Sequence, residues 1–410
     1  MKIYSGKVYL PFIVALGIWS VSALTALPGL AVSPIMGDLQ KIFPHAGEME
    51  IQMLTSLPSL LILPFILLSG YLTQRVNIYK LLMTGLLIFG ATGVLYLLST
   101  KMWQLVLVSA LLGIGAGIII PLSTGLITLF FSGESRTRQF GLNSSISNLT
   151  VVAATLLTGY LAGIDWKLPF LVYLLPFAAV FLAMPLKKYW PADKDMQEEE
   201  KYEDKAGDRS EFNIIIGKYG MDIKHLWHIM ALYGSLTFTV AIVIFYIPFL
   251  VSGRGMSEDL SGSIISLFFL AIMLPGLFLN RIISVTKERT ILLAIMFITL
   301  GLFLISVTGS AWVISLAAVL VGLGYGTVQP LCYDKAMPVS SAKKHTVALA
   351  CVMFMNYVAI LLCPFVIDGI KDMLDIQGNV FSFRLGTGIA LIIFLVALAR
   401  SKKFVFNIMK

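Results

Sequence analysis

Tyr325, Gln329 and Tyr333 recur at i, i+4 and i+8, the spacing of one helix face. A polar-aromatic stripe inside an apolar segment faces a cavity, because lipid offers a polar group no hydrogen-bond partner. Asp334 follows, about 100° around the same helix from Tyr333. It is the one carboxylate set well inside an apolar run. Its chemistry would be reversible protonation or cation binding, which makes it the coupling candidate. A structural role stays open beside that one: a partner for Lys335, Arg138 or a helix end. Lys335 is expected to snorkel toward the inner face, and Asp368 to sit at the opposite interface. Further candidates for a substrate cavity are Trp19, Ser22 and Thr25, then Ser144 and Asn148, Tyr233 and Thr237, and Asn356 and Tyr357. For a single Ser or Thr a backbone bond is the preferred reading. Asn148, Tyr325, Gln329 and Asn356 are the stronger candidates, because large polar groups are harder to hide.

Hydrolytic and metal chemistry find no support. The four histidines (His45, His225, His228 and His345) fall in loops or at helix ends, and no His pair, Cys–His arrangement or carboxylate pair shares an apolar segment. Cys332, Cys351 and Cys363 lack C-x-x-C spacing and read as reduced packing residues. An enzyme is not expected, nor a cofactor or a metal.

The elements that must position these residues are apolar. Of the 410 residues 58% are hydrophobic and 13% charged, with a mean hydropathy of +0.89. Soluble domains carry roughly 25% charged residues, so the chain must lie in a membrane. Twelve runs near 20 residues, each long enough to cross as a helix, are expected at 9–32, 52–72, 81–99, 103–131, 142–164, 169–187, 227–251, 261–283, 290–309, 312–338, 346–369 and 383–399. The apolar start from residue 9 reads as an uncleaved first helix. A transmembrane barrel would instead show alternating segments of roughly ten residues. With the N-terminus inside, the inner segments hold 24 of the 30 Lys and Arg residues, which places both termini in the cytoplasm. The basic pI near 9.2 then reflects topology, and nucleic acid is not an expected partner.

One long polar segment, 187–227, carries 10 of the 22 acidic residues. It reads as a charged linker ending in a short surface helix from Phe212 to Trp227. It divides the chain into an N-terminal six-helix bundle (1–188), a linker (189–226) and a C-terminal six-helix bundle (227–410). The halves repeat. Gly113–Leu122 and Gly322–Leu331 share the spelling G-x-G-x-G-x-x-x-P-L, 209 positions apart. Gly70, Gln74 and Arg75 correspond to Gly276, Asn280 and Arg281, and Asn148 to Asn356. Such parallel repeats about an axis normal to the membrane place a substrate site between them. A nucleotide-binding reading of the glycine strings fails, since neither follows a strand. Close helix packing is the preferred reading.

The residues 70–80, Gly-x-Leu-x-Gln-Arg and then Lys80, are similar to the loop signature of the major facilitator superfamily, with Gln74 in place of an Asp and Asn77 in place of a Gly. Gly113, Gly115 and Ala116 match its fourth-helix signature, with Ser109 where an Arg is expected. "DWKLPF" (Asp165–Phe170) and "LPGLAVSPIMGDL" resemble further family segments, the latter from its drug-exporter branch. Helix 5 lacks that branch's Gly-Pro-x-x-Gly-Gly mark. The resemblance implies an all-α membrane protein of twelve helices in two bundles related by a pseudo-twofold axis, with Gly70, Gln74, Arg75, Gly276, Asn280 and Arg281 at the inner gate. It also implies a secondary transporter working by alternating access, here expected to be a proton-coupled exporter of amphiphilic or drug-like compounds. A nutrient importer or uniporter for a neutral solute and a lipid flippase are the alternatives. Expected partners are a small-molecule substrate, protons and membrane lipid, for a monomer in a bacterial cytoplasmic membrane.

Overall fold

Among the described residues, proline and turn residues mark off twelve helical segments: α1 Phe12–Leu24, α2 Glu48–Leu72, α3 Ile78–Leu98, α4 Met102–Phe130, α5 Gly133–Ala162, α6 Leu168–Tyr189, α7 Ile223–Gly253, α8 Glu258–Leu277, α9 Leu279–Val307, α10 Ala311–Lys335, α11 His345–Met373 and α12 Phe381–Ala399. The computed structural model describes residues 2–6, 9–28, 31–32, 35, 39, 42–44, 46, 48–190, 220–256, 258–376, 378, 380–401 and 403–407, with backbone alone at 48, 49, 258 and 259. Among these residues eleven helices are long and apolar enough to cross a membrane. α1 has 13 residues, fewer than expected. Its start is taken by a hairpin, strand β1 (Lys2–Tyr4) against β2 (Tyr9–Pro11), so residues 9–11 are extended rather than helical. Its end precedes Pro28, whose ring disfavours helical backbone at Leu27.

Other boundaries also differ from the sequence reading. α5 begins at Gly133, nine residues earlier than expected, so Arg136 and Arg138 lie on the helix. α6 is two 3-10 segments flanking a short α-helix, and each of the three segments has a proline as its second residue (Pro169, Pro176, Pro185). Proline suits a helix start and breaks a helix interior. α9 joins a short amphipathic α-helix, Leu279–Thr286, to the apolar helix Thr290–Val307 through a 3-10 turn, Lys287–Arg289. Most of the expected surface helix (212–219) and of the charged linker lies outside the described residues, while Ile223–Trp227 belong to α7.

By internal packing the chain falls into two units. One comprises Met1–Arg136, Leu149–Met221 and Ser340–Phe354; the other comprises Thr137–Asn148, Asp222–Val339 and Met355–Lys410. A segment of α5 falls in the second unit and a segment of α11 in the first. In the first unit α4 packs against α2 and α3. Gly113 and Gly117 press on α2, where a Cβ would fall 2.7 Å from the Pro58 carbonyl oxygen and 2.6 Å from the Phe65 Cβ; Gly115 presses on α3 at Phe89. The second unit repeats the arrangement. Gly322 and Gly326 lie against the Phe268 and Ile272 carbonyls of α8, and Gly324 against Ala294 of α9. The duplicated glycine phrase therefore lets one helix grip two neighbours, the odd glycine facing away from the outer pair.

Candidate functional site

In the second unit α7, α10 and α11 bring their polar side chains to one place. Asn356 Oδ1 accepts from Thr237 Oγ1 at 3.0 Å and from the Tyr325 hydroxyl at 2.9 Å. Thr237 and Tyr325 also lie 3.0 Å apart, and the Tyr325 hydroxyl is 3.3 Å from that of Tyr233. Tyr233 reaches Tyr333 at 3.1 Å, and Gln329 Nε2 donates to the Tyr333 hydroxyl at 3.4 Å. Gln329 Oε1 accepts from Ser144 of α5 at 2.6 Å, and Asn148 Nδ2 donates to the Ser144 carbonyl at 2.7 Å. The rings are packed as well: Tyr233 stacks on Tyr325 at 6.1 Å and meets Tyr333 edge-on at 5.6 Å.

The i, i+4, i+8 stripe of α10 thus converges on candidates from α5, α7 and α11, and Tyr357 lies half-buried beside Asn356. Phe140 of α5, which the sequence reading did not single out, closes on the Tyr333 ring at 6.0 Å. The chemistry of the cluster is that of neutral hydroxyls, amides and aromatic faces. Each phenol has one proton, so Tyr325 can donate to Asn356 or to Tyr233 but not to both. The carbonyl end of the Asn356 amide is held by two hydroxyls; its Nδ2 has no partner among the described residues. A donor held in place by its own far end is suited to an incoming acceptor.

The carboxylates lie apart from this cluster. Asp334 is the penultimate residue of α10, half-buried, and accepts from Thr137 Oγ1 of α5 at 2.8 Å. Thr137 carried no sequence signal, because its segment is polar and was expected to precede the helix. Lys335 is buried. It is 8% exposed, its Nζ donates to the Asn407 carbonyl, and it lies 4.2 Å from the Phe404 ring centroid. Residues after α12 supply both contacts, so the lysine is buried by chain that no local pattern could associate with it. Asp368 is exposed near the C-terminal end of α11 and accepts from the Tyr246 hydroxyl at 2.7 Å.

The α1 candidates belong to the first unit. Ser22 is buried and donates to the Ile18 carbonyl at 3.1 Å, Thr25 donates to the Ser22 carbonyl at 2.8 Å, and Trp19 meets Phe12 edge-on at 5.8 Å. Each of these two hydroxyls bonds a backbone carbonyl three or four residues earlier in the chain.

The model of the Major Facilitator Superfamily matches residues 13–364. The chain belongs to this superfamily. A segment of 162 residues, 39% of the chain, is 28% identical to the multidrug transporter protein MdtP of Bacillus subtilis (strain 168); the chain spans 29% of the length of that relative. A solved proton:xylose symporter superposes with a TM-score of 0.72 at 14% identity, over 97% of this chain and 98% of the other. A human organic anion transporter gives 0.69 at 16% identity, over 94% and 98%. At such identities these likenesses carry the fold. As a member of the superfamily the chain is an integral membrane protein of the secondary-transporter kind.

The superfamily's signature positions have local explanations. Asn77, standing for a glycine, caps α3 by accepting from the Lys80 N–H at 3.1 Å. Ser109, standing for an arginine, is fully buried 2.6 Å from the Tyr96 hydroxyl, and Tyr96 stacks on Phe170 at 4.3 Å. Gln74 and Arg75 are exposed, with the Arg75 guanidinium 5.0 Å from the Tyr71 ring centroid. A Cβ on Gly70 would fall 2.7 Å from the Ala350 Cβ of α11, and one on Gly276 would land on the Gly141 carbonyl of α5. Asn280 is half-buried and Arg281 exposed, just after α8.

Proposed function

We propose that this transporter exports small neutral or cationic amphiphiles by alternating access, driven by the proton gradient. The observation that carries the reading is the uncharged cluster around Asn356, with one amide end fixed and the other without a partner among the described residues. Substrates recognised there would offer an acceptor to Asn356 Nδ2 and apolar surface to Tyr233, Tyr325 and Tyr333. An organic anion would call for Arg or Lys in such a cluster, and the interacting side chains include neither. The partial likeness to a multidrug transporter supports the same substrate class. The basic residues support cytoplasmic termini, and Asp334 is the carboxylate assigned to coupling.

A second reading, uniport or import of a neutral solute, draws on one specific observation. Where relatives are expected to carry an arginine, this chain has the Ser109–Tyr96 pair, which offers no charge to a proton cycle. The deciding experiment is flux of a lipophilic test substrate in proteoliposomes with an imposed pH gradient. Efflux-direction accumulation that collapses with a protonophore supports export. Uptake driven by the same gradient, or flux indifferent to it, overturns it.

A further inference from the structure

A cavity of about 430 Å³ lies in the second unit, lined by Phe245, Tyr246 and Phe249 of α7 and by Pro364, Asp368 and Lys371 of α11. Tyr246 is nine residues beyond Thr237, and Asp368 twelve beyond Asn356, so this cavity sits roughly 14–18 Å along the helices from the tyrosine cluster. It is a separate place with different chemistry.

Its charges are arranged unusually. Lys371 follows Asp368 by three residues on one helix, a spacing at which opposite charges pair. Here the lysine Nζ instead lies 4.8 Å from the Tyr246 ring centroid, and Asp368 makes no ion pair among the described residues. Tyr246 is 4% exposed and fixes one carboxylate oxygen through its hydroxyl. Asp368 is itself exposed and lines the cavity. The Tyr246 face is thus already serving as a cation site, with a carboxylate beside it and the aromatic rings of Phe245 and Phe249 around it. Phe249 is 60% exposed, so the apolar wall opens outward rather than into the core. Two helix C-terminal ends, of α7 and α11, add partial negative charge at the same level.

We propose that this cavity binds a monovalent organic cation with an aromatic or alkyl body. The cationic centre replaces the Lys371 ammonium over Tyr246 and pairs with Asp368, while the body covers Phe245, Phe249 and Pro364. Lys371 acts as a tethered competitor that holds the site in the absence of ligand. The inference does not rest on the export reading, since occupancy of this cavity is independent of the direction and driving force of transport.

The test is equilibrium binding of tetraphenylphosphonium to the purified full chain in detergent, with tetraphenylborate as an anion of the same shape. Asp368→Asn should weaken phosphonium binding by about tenfold, Asp368→Glu should largely restore it, and Lys371→Gln should tighten it several-fold. Asn356→Ala reports on phosphonium held at the tyrosine cluster, so the Asp368 and Lys371 effects are read in that background as well, where they should persist. The borate should not be weakened by Asp368→Asn. Two outcomes overturn the proposal: affinities unmoved by both Asp368→Asn and Lys371→Gln, or phosphonium and borate responding alike. Loss of these effects in the Asn356→Ala background would assign the probe to the tyrosine cluster and overturn it as well. Because Lys371→Gln is expected to gain affinity, a misfolded Asp368 variant does not shelter the idea.

Discussion

Tyr325 donates its hydroxyl to Asn356 Oδ1 at 2.9 Å, and Thr237 reaches the same oxygen at 3.0 Å. Two hydroxyls on one carbonyl leave the amide no freedom to rotate, so its nitrogen presents a fixed donor. If that donor meets substrate, Asn356→Ala removes a direct hydrogen bond and Tyr325→Phe removes the support for it. A net hydrogen bond is worth about 1 kcal/mol, so KM for transport should rise roughly five- to tenfold in Asn356→Ala and less in Tyr325→Phe. The phenylalanine keeps the stacking on Tyr233, which separates the hydroxyl's part from the ring's. Unchanged KM in both variants would place the substrate elsewhere.

Gly326 and Gly159 make opposite expectations for the same substitution. A methyl group on Gly326 would run into the backbone carbonyl of Ile272, which has no way to yield except by moving α8 from α10. Gly326→Ala should therefore destabilise the protein by about 1–3 kcal/mol. Gly159 on α5 has nothing within 4 Å of a built Cβ, so Gly159→Ala should gain the helix preference of alanine, up to about 1 kcal/mol. Thermal unfolding of both variants in one detergent checks the pair. A neutral Gly326→Ala would mean that the duplicated phrase is not a packing device.

The packing role of the glycine phrase was open to inspection in the sequence, because a period of four on a helix states which residues share a face. The α10 stripe was legible for the same reason, and its partners Thr237, Ser144 and Asn356 stood out as polar groups within apolar spans. What was not legible depended on chain far away. Lys335 is buried by Phe404 and Asn407, and Asp334 is held by Thr137; neither relation leaves a periodic trace. The hairpin before α1 escaped notice too, since its apolar residues read equally well as the start of a helix. Ser5 in that hairpin accepts from the Ser132 N–H at 2.8 Å, another contact between distant stretches.

Asp222 caps α7, accepting from the His225 N–H at 3.1 Å and contacting the His225 ring nitrogen Nδ1 at 2.7 Å. Burial works against its charge, but these bonds and the Lys224 N–H outweigh it and hold the carboxyl below its ordinary value of 3.8. A carboxylate with a lowered folded-state pKa stabilises the protein at pH values above 3.8, and that contribution fades as the pH falls through the lower folded value. Asp222→Ala should cost about 1 kcal/mol at neutral pH. The difference in unfolding temperature from the native chain should shrink steadily below pH 4. A difference that persists unchanged into acid would show that the aspartate acts by shape alone.

Asp334 is the position at which the coupling proposal is most exposed. Its carboxylate joins α10 to α5 through Thr137 Oγ1 at 2.8 Å, so it is placed to report protonation as a change in the tie between two helices. Asp334→Asn keeps the size and an acceptor for Thr137 but removes the proton cycle. It should retain substrate binding and lose pH-driven accumulation. Thr137→Val removes the tie while leaving the carboxylate, and should keep the pH dependence with an altered rate. Asp368→Asn, exposed at the far end of α11, should leave the pH dependence of flux nearly intact, because solvent screens that charge. Flux against external pH for the three variants in matched proteoliposomes separates these roles. If Asp334→Asn accumulates substrate with full pH dependence, the aspartate is a tie between helices and nothing more, and uniport becomes the better account of the uncharged cluster.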